Sequence, residues 1–129
     1  MFVVDASVLA PALADRGSDG RRIRQRLRGE QLAGPDLVVI EVASVLRRQA
    51  NAGMLTTEQL NNAITDLRDL PITLFPALST LRRIVDLRAN LTAYDASYVA
   101  LAELLGVTLL TADRRLAHAP GAKCTFQIL

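Results

Sequence analysis

Four carboxylates sit where carboxylates are costly. Asp5 closes the apolar run Phe2-Val3-Val4, and Asp113 follows Leu109-Leu110-Thr111-Ala112 in the same way. Glu41 lies within Leu37-Val38-Val39-Ile40-Glu41-Val42-Ala43, and Asp95 within Tyr94-Asp95-Ala96-Ser97-Tyr98-Val99-Ala100. Helical side chains meet at spacings of three and four. At those spacings Glu41 has Leu37, Val38, Ser44 and Val45, and Asp95 has Leu91, Thr92, Tyr98 and Val99; none is basic. An unpaired carboxylate in apolar surroundings needs a compensating partner. Four oxygen donors suit a hard divalent cation, Mg²⁺ or Mn²⁺. Magnesium combines few carboxylates with water and substrate phosphates, which points to phosphodiester cleavage by a metal-activated water.

Each acid also has a plainer reading. Asp is a favoured helix cap, so Asp5 or Asp113 can simply start a helix. Asp95 can be the N3 acid of a helix capped by Thr92. Glu41, read as mid-helix, has the weakest such explanation. Among the other acids, Asp86 can pair with Arg82 and Arg83 along one helix. Asp15, Asp19 and Asp36 fall in turns or at a helix start, Glu58, Asp66 and Asp69 belong to a polar helix, and Glu103 reads as solvated near a helix end.

The elements that must position the four acids alternate along the chain. Phe2–Val4 reads as a buried strand. A short helix from Ser7 to Leu13, a loop at 15–20 and a helix from Arg21 to Gly29 follow. Gln31–Ala33 is a short strand closed by Gly34-Pro35. Pro35 suits a first helical position, and a long helix runs to Ala52 and stops at Gly53. Thr56-Thr57-Glu58-Gln59 has the form of a capping box, opening a helix that ends before Pro71. Ile72–Phe75 is a strand, and Ala77–Ala89 a helix. Thr92 caps a further helix through Leu105, stopped by Gly106. Val107–Leu110 is a strand, 113–117 a helical turn, and Cys124–Ile128 a last strand. Such alternation predicts an α/β fold, a three-layer α/β/α sandwich around a mostly parallel sheet. No linker or repeat divides residues 1–129, which read as one domain.

Composition excludes several function classes. The core is aliphatic, because half of the 129 residues are hydrophobic but only 4% are aromatic. Base stacking on aromatic side chains is therefore disfavoured. The one cysteine, Cys124, allows no internal disulfide or cysteine cluster, and fits a reducing cytoplasm. No signal peptide or membrane span is legible. His118 is the only histidine and lies in a loop, without the positioned partners a catalytic triad needs. Setting the four acids aside leaves nine acids against fifteen bases, a balance of +6 that would draw phosphates in a salt-sensitive way. Arg16, Arg21, Arg22, Arg24, Arg26 and Arg28 form the densest cluster, as readily a solvated helix face as a phosphate clamp. Arg47, Arg48, Arg114 and Arg115 neighbour the four acids in sequence and are better candidates for contacts.

At these residues the chain resembles the PIN-domain ribonucleases, specifically VapC-type toxins of type II toxin–antitoxin pairs. VVDASVL, PDLVVIEVASVLRR, LTAYDASYVALAELLG and LLTADRRLA carry the resemblance, in the family's order and over nearly the whole chain. It implies that Asp5, Glu41, Asp95 and Asp113 form the metal site, with Ser7 and Thr111 as supporting hydroxyls rather than nucleophiles. It also implies metal-dependent RNA cleavage, a homodimer, and a cognate antitoxin that inhibits the enzyme. Apolar positions in helices around Ala52–Leu70 and Ala77–Ala89 are the expected dimer surface. No second acid adjoins Asp95, which leaves one-metal and two-metal arrangements open. Two rivals remain: a noncatalytic α/β binding or regulatory module, and a metal-dependent phosphatase. A receiver-type regulator needs a phosphorylatable Asp on a middle strand and a lysine later in the chain; the only lysine is Lys123, near the end, which disfavours that reading. The Asp-x-Asp pair of one phosphatase class is absent, since Ala6 and Ser7 follow Asp5.

Overall fold

The computed structural model describes residues 1–129. Five strands, β1 (Phe2–Val4), β2 (Leu32–Pro35), β3 (Ile72–Phe75), β4 (Thr108–Thr111) and β5 (Phe126–Ile128), form one sheet in the order β3-β2-β1-β4-β5. Every neighbouring pair is parallel, so the sheet is wholly rather than mostly parallel. β1 is central, and Val3 and Val4 are fully buried, as a strand covered on both faces requires.

The helices are α1 (Ala6–Ala14), α2 (Ser18–Leu27), α3 (Val38–Asn51), α4 (Thr57–Asp69), α5 (Leu81–Asp86), α6 (Ala93–Leu105) and α7 (Arg114–Ala117). α1 packs on α2, α3 and α4, whereas α6 packs on α5 and against β1, β2 and β4. Right-handed crossovers explain the separation: the chain winds from β1 to β3 in one direction, then returns to place β4 on the other side of β1. That reversal is the topological switch point, where open parallel sheets hold ligands beyond their strand ends. Asp5 and Asp113 flank it. No helix is long and apolar enough to cross a membrane.

Several boundaries differ from the sequence reading for local reasons. Pro35 ends β2 instead of starting a helix. It lies beyond the stretch of β2 that pairs with β1, so its missing N–H orphans no ladder bond. α3 therefore begins at Val38, which moves Glu41 from mid-helix into the first turn. α2 starts at Ser18, because the Asp15 carboxylate accepts the Gly17 and Gly20 amides at 2.7 and 3.2 Å. The helix expected over 77–89 is a 3-10 turn, Ala77–Thr80, followed by the short α5; the Thr80 hydroxyl bonds back to the Ala77 carbonyl. The capping box at Thr56 and Gln59 and the stop at Gly106, a C-cap with φ of 65°, are as read.

Glu103 is not solvated. Arg83 grips it in a fork at 2.7 and 3.1 Å, and the Lys123 amide adds a third bond at 2.7 Å. Arg83 thus ties α6 to the C-terminal segment instead of pairing with Asp86. Two members of the arginine cluster are also structural: Arg24 bonds the Ala12 and Asp15 carbonyls, and Arg26 bonds Glu30 and Gln127 over the Phe2 ring.

Candidate active site

Each of the four acids stands at the start of a helix. Asp5 is the N-cap of α1, Glu41 and Asp95 lie in the first turns of α3 and α6, and Asp113 is the N-cap of α7. The positive ends of four helix dipoles meet at one end of the sheet, which favours carboxylates there. Asp5 and Asp113 are thus helix caps as the plainer reading had it, in a placement that also turns both toward the same end of the sheet.

Asp5 is 5% exposed and held from every side. It accepts the Ser7 hydroxyl at 2.6 Å and the Val8 amide at 3.2 Å on one oxygen, and the Thr111 hydroxyl on the other. The two hydroxyls are themselves engaged as acceptors. Ser7 Oγ takes the Ala112 amide at 2.9 Å, and Thr111 Oγ1 takes the Asp113 amide at 3.0 Å. They therefore stitch the end of β1 to the turn that carries Asp113. One Asp113 oxygen caps α7 through the Arg115 and Leu116 amides, at 2.9 and 3.3 Å. Thr92 accepts the Asp95 amide at 3.2 Å.

The charges of the four acids reach one another in a closed ring. Burial pushes Asp5 above the ordinary carboxylate range against the pull of its hydrogen bonds, and the charge of Asp113 adds to the push. Burial likewise raises Glu41, with help from Asp95 and Asp5, against the Tyr98 hydroxyl. Asp95 is raised by burial and then by Asp113, against Arg115 and Thr92. No three acidic, histidine or cysteine side chains converge tightly enough to enclose an ion unaided.

Of the four candidate arginines, only Arg115 meets the acids. Its exposed guanidinium lies 3.9 Å from Asp95 and 3.6 Å from Asp113. Arg48 follows Glu41 by two helical turns and donates to the Ser44 hydroxyl at 3.2 Å. Arg47 and Arg114 are exposed, and neither forms an ion pair with the acids. A cleft of about 330 Å³ opens beside Asp95 and Arg115, with Thr92 and His118 on its walls. A roomier hollow of about 570 Å³, near Leu32 and Pro71, lies at the opposite end of the strands.

The residues fit a hard divalent ion on two counts. The donor set is oxygen only. One Glu41 oxygen, Oε1, is buried with no hydrogen-bond partner, a state that proteins avoid unless something else satisfies the group. The sequence reading passed over Tyr98, whose buried hydroxyl is also unpartnered and faces the Glu41 carboxylate. Its signal was available: a hydroxyl-bearing side chain three residues after Asp95, inside an apolar helix.

A family model described as PIN domain matches residues 2–122. Ribonuclease VapC9 of Mycobacterium tuberculosis is 43% identical over 129 residues, spanning 100% of this chain and 98% of that protein. The crystal structure of Mycobacterium tuberculosis VapC20, a sarcin-ricin loop cleaving toxin, superposes with a TM-score of 0.71 at 12% identity, covering 90% of this chain and 92% of that one. A toxin–antitoxin complex from Klebsiella pneumoniae superposes with a TM-score of 0.63 at 20% identity, over 99% and 100% of the two chains. At such identities the structural likeness speaks to fold alone.

Proposed function

The chain belongs to the PIN-domain family, and from that premise we propose that it is a ribonuclease, the toxin of a toxin–antitoxin pair. We read residues 1–129 as one nuclease domain, with Mg²⁺ or Mn²⁺ held by Asp5, Glu41, Asp95 and Asp113. The observation that carries the metal site is the closed ring of four mutually repelling acids, one with an unsatisfied buried oxygen. Bound there, a divalent ion would offset charge on the scissile phosphate and acidify water for the attack.

The chain's own residues supply position. Ser7 and Thr111 both donate to Asp5 and both accept a backbone amide, so neither hydroxyl is free to act as a nucleophile. We assign the attack to water acidified by the ion. Arg115, exposed and shared between Asp95 and Asp113, is placed to turn toward an RNA phosphate once a cation takes over those acids. The remaining surface, basic on balance, draws the RNA backbone without reading its sequence.

Two assembly partners belong to this reading. The resemblance to VapC-type toxins, carried at 43% identity over the full chain, supports a protein antitoxin. A homodimer is supported by Leu78, Leu81 and Val85, exposed on one helical face at spacings of three and four.

The test is degradation of total RNA by the purified protein, with Mg²⁺, with Mn²⁺ and with EDTA, beside Asp5→Asn. We expect cleavage that needs the cation and vanishes in the variant. Equal cleavage in EDTA, or by Asp5→Asn, would overturn the assignment. Hydrolysis of a phosphomonoester but not of RNA would favour the phosphatase instead.

A further inference from the structure

Tyr98 lies on α6, 1% exposed, one helical turn beyond Asp95. Its hydroxyl faces the Glu41 carboxylate of α3 and the amide of Ala6, the residue after Asp5. It lies within reach of both but meets full hydrogen-bond geometry with neither, and Glu41 Oε1 likewise has no closed bond. One phenol thus sits among three of the elements that carry the acids.

Burying a hydroxyl without a partner costs about 1–3 kcal/mol. Phenylalanine would fill the same space without that cost. The hydroxyl is explained by its two polar neighbours, Glu41 and the Ala6 amide, once the bond to them closes fully. Open contacts of this kind are common before a site is loaded, and tighten when it is. Toward a carboxylate, which has no proton to give, a phenol hydroxyl acts only as a donor.

We propose that Tyr98 is a positioning residue: its hydroxyl donates to Glu41 Oε1, fixing that carboxylate so that its other oxygen serves the metal ion. Through the Ala6 amide, the same phenol ties the Glu41 helix to the turn bearing Asp5. The proposal rests on the metal-site reading above.

The test is Mn²⁺ binding without RNA, followed by calorimetry or by the spin-resonance signal of the free ion. The proteins are wild type, Asp5→Asn, Tyr98→Phe, Glu41→Gln and the Tyr98→Phe/Glu41→Gln double variant. Tyr98→Phe should melt at or above the wild-type temperature without metal. It should bind Mn²⁺ about 10- to 100-fold more weakly, as loss of an outer partner typically does. In the Glu41→Gln background the same change should weaken binding no further. Ser97→Ala, which removes a hydroxyl bonded only to the Tyr94 carbonyl at 2.6 Å, should leave binding unchanged. Mn²⁺ affinity of Tyr98→Phe within twofold of wild type would overturn the proposal, with or without a lower melting point. So would an undiminished effect of Tyr98→Phe on top of Glu41→Gln. A wild type that binds no Mn²⁺, or binds it as well after Asp5→Asn, would defeat the metal site itself and this proposal with it. Binding that is lost in Asp5→Asn but intact in Tyr98→Phe would defeat this proposal alone.

Discussion

Thr111 donates its hydroxyl proton to Asp5 from the neighbouring parallel strand, and the pair is buried. The same oxygen accepts the Asp113 amide. One small side chain therefore sets the spacing between two acids that stand 108 residues apart in sequence.

Thr111→Val keeps the shape and removes the hydroxyl. Asp5 then loses a donor and the Asp113 amide an acceptor, at a cost of about 2–3 kcal/mol. Urea denaturation should read this loss, and RNA cleavage should fall with it. Thr111→Ser should restore most of both. Stability unaffected by Thr111→Val would show that the bond contributes nothing to the fold.

Asp5→Asn and Asp95→Asn should part company in EDTA. Asp5 accepts three donors, and an amide nitrogen in place of one oxygen would face one of them. We expect about 1–2 kcal/mol of destabilisation. Asp95 is half-buried, repelled by Asp113, and offset only by the exposed Arg115 at 3.9 Å and by Thr92. Its substitution should leave the melting temperature unchanged or raise it, while shrinking the stabilisation that Mg²⁺ gives the wild type by mass action. A destabilised Asp95→Asn protein beside a wild type indifferent to Mg²⁺ would rule out the metal site.

Acid should stabilise the metal-free site. Asp5, Glu41 and Asp95 all have folded values raised above their ordinary 3.8, 4.5 and 3.8. Over that window the folded chain binds more protons than the unfolded one, so stability from these groups is full below the ordinary values. It is lost as pH climbs through the raised ones. Glu103 runs the other way. Burial works to raise it, but Arg83 and the Lys123 amide bring it below 4.5, so its contribution disappears as pH falls through the lowered value. In EDTA the melting temperature should therefore rise as pH falls from neutrality toward the ordinary carboxylate values and drop in stronger acid. Magnesium should flatten the rise by compensating the acids at neutral pH. A steady decline from neutrality downward in EDTA would contradict this assignment.

Association should follow the exposed apolar face of the 3-10 turn and α5. Leu81→Glu and Val85→Glu place charges on it without touching the buried Ile84 and Leu87. Light scattering should find a dimer for the wild type and a monomer for the double variant, with the fold intact by circular dichroism. A wild-type monomer at high concentration would remove the homodimer from the proposed function.

The strands, the long helices, the capping box at Thr56 and the four costly acids were all legible in the sequence, because each is written in local spacing. Apolar runs, a cap three residues before its partner and a carboxylate without a basic neighbour need no knowledge of what packs where. The limits of that reading are equally physical. Pro35 looks like a helix start by propensity, and only the sheet decides that it ends β2, since strand pairing beyond β1 asks nothing of its N–H. Glu103 looks solvated on its own helix, and only the fold brings Arg83 and Lys123 to it from segments 20 residues away. Local spacing singled out Asp5 and Asp113, but the bond from Thr111 exists because β4 returns beside β1. The unsatisfied pair of Tyr98 and Glu41 is likewise a fact about two helices meeting, since burial and hydrogen bonding are decided by the partners that tertiary structure supplies.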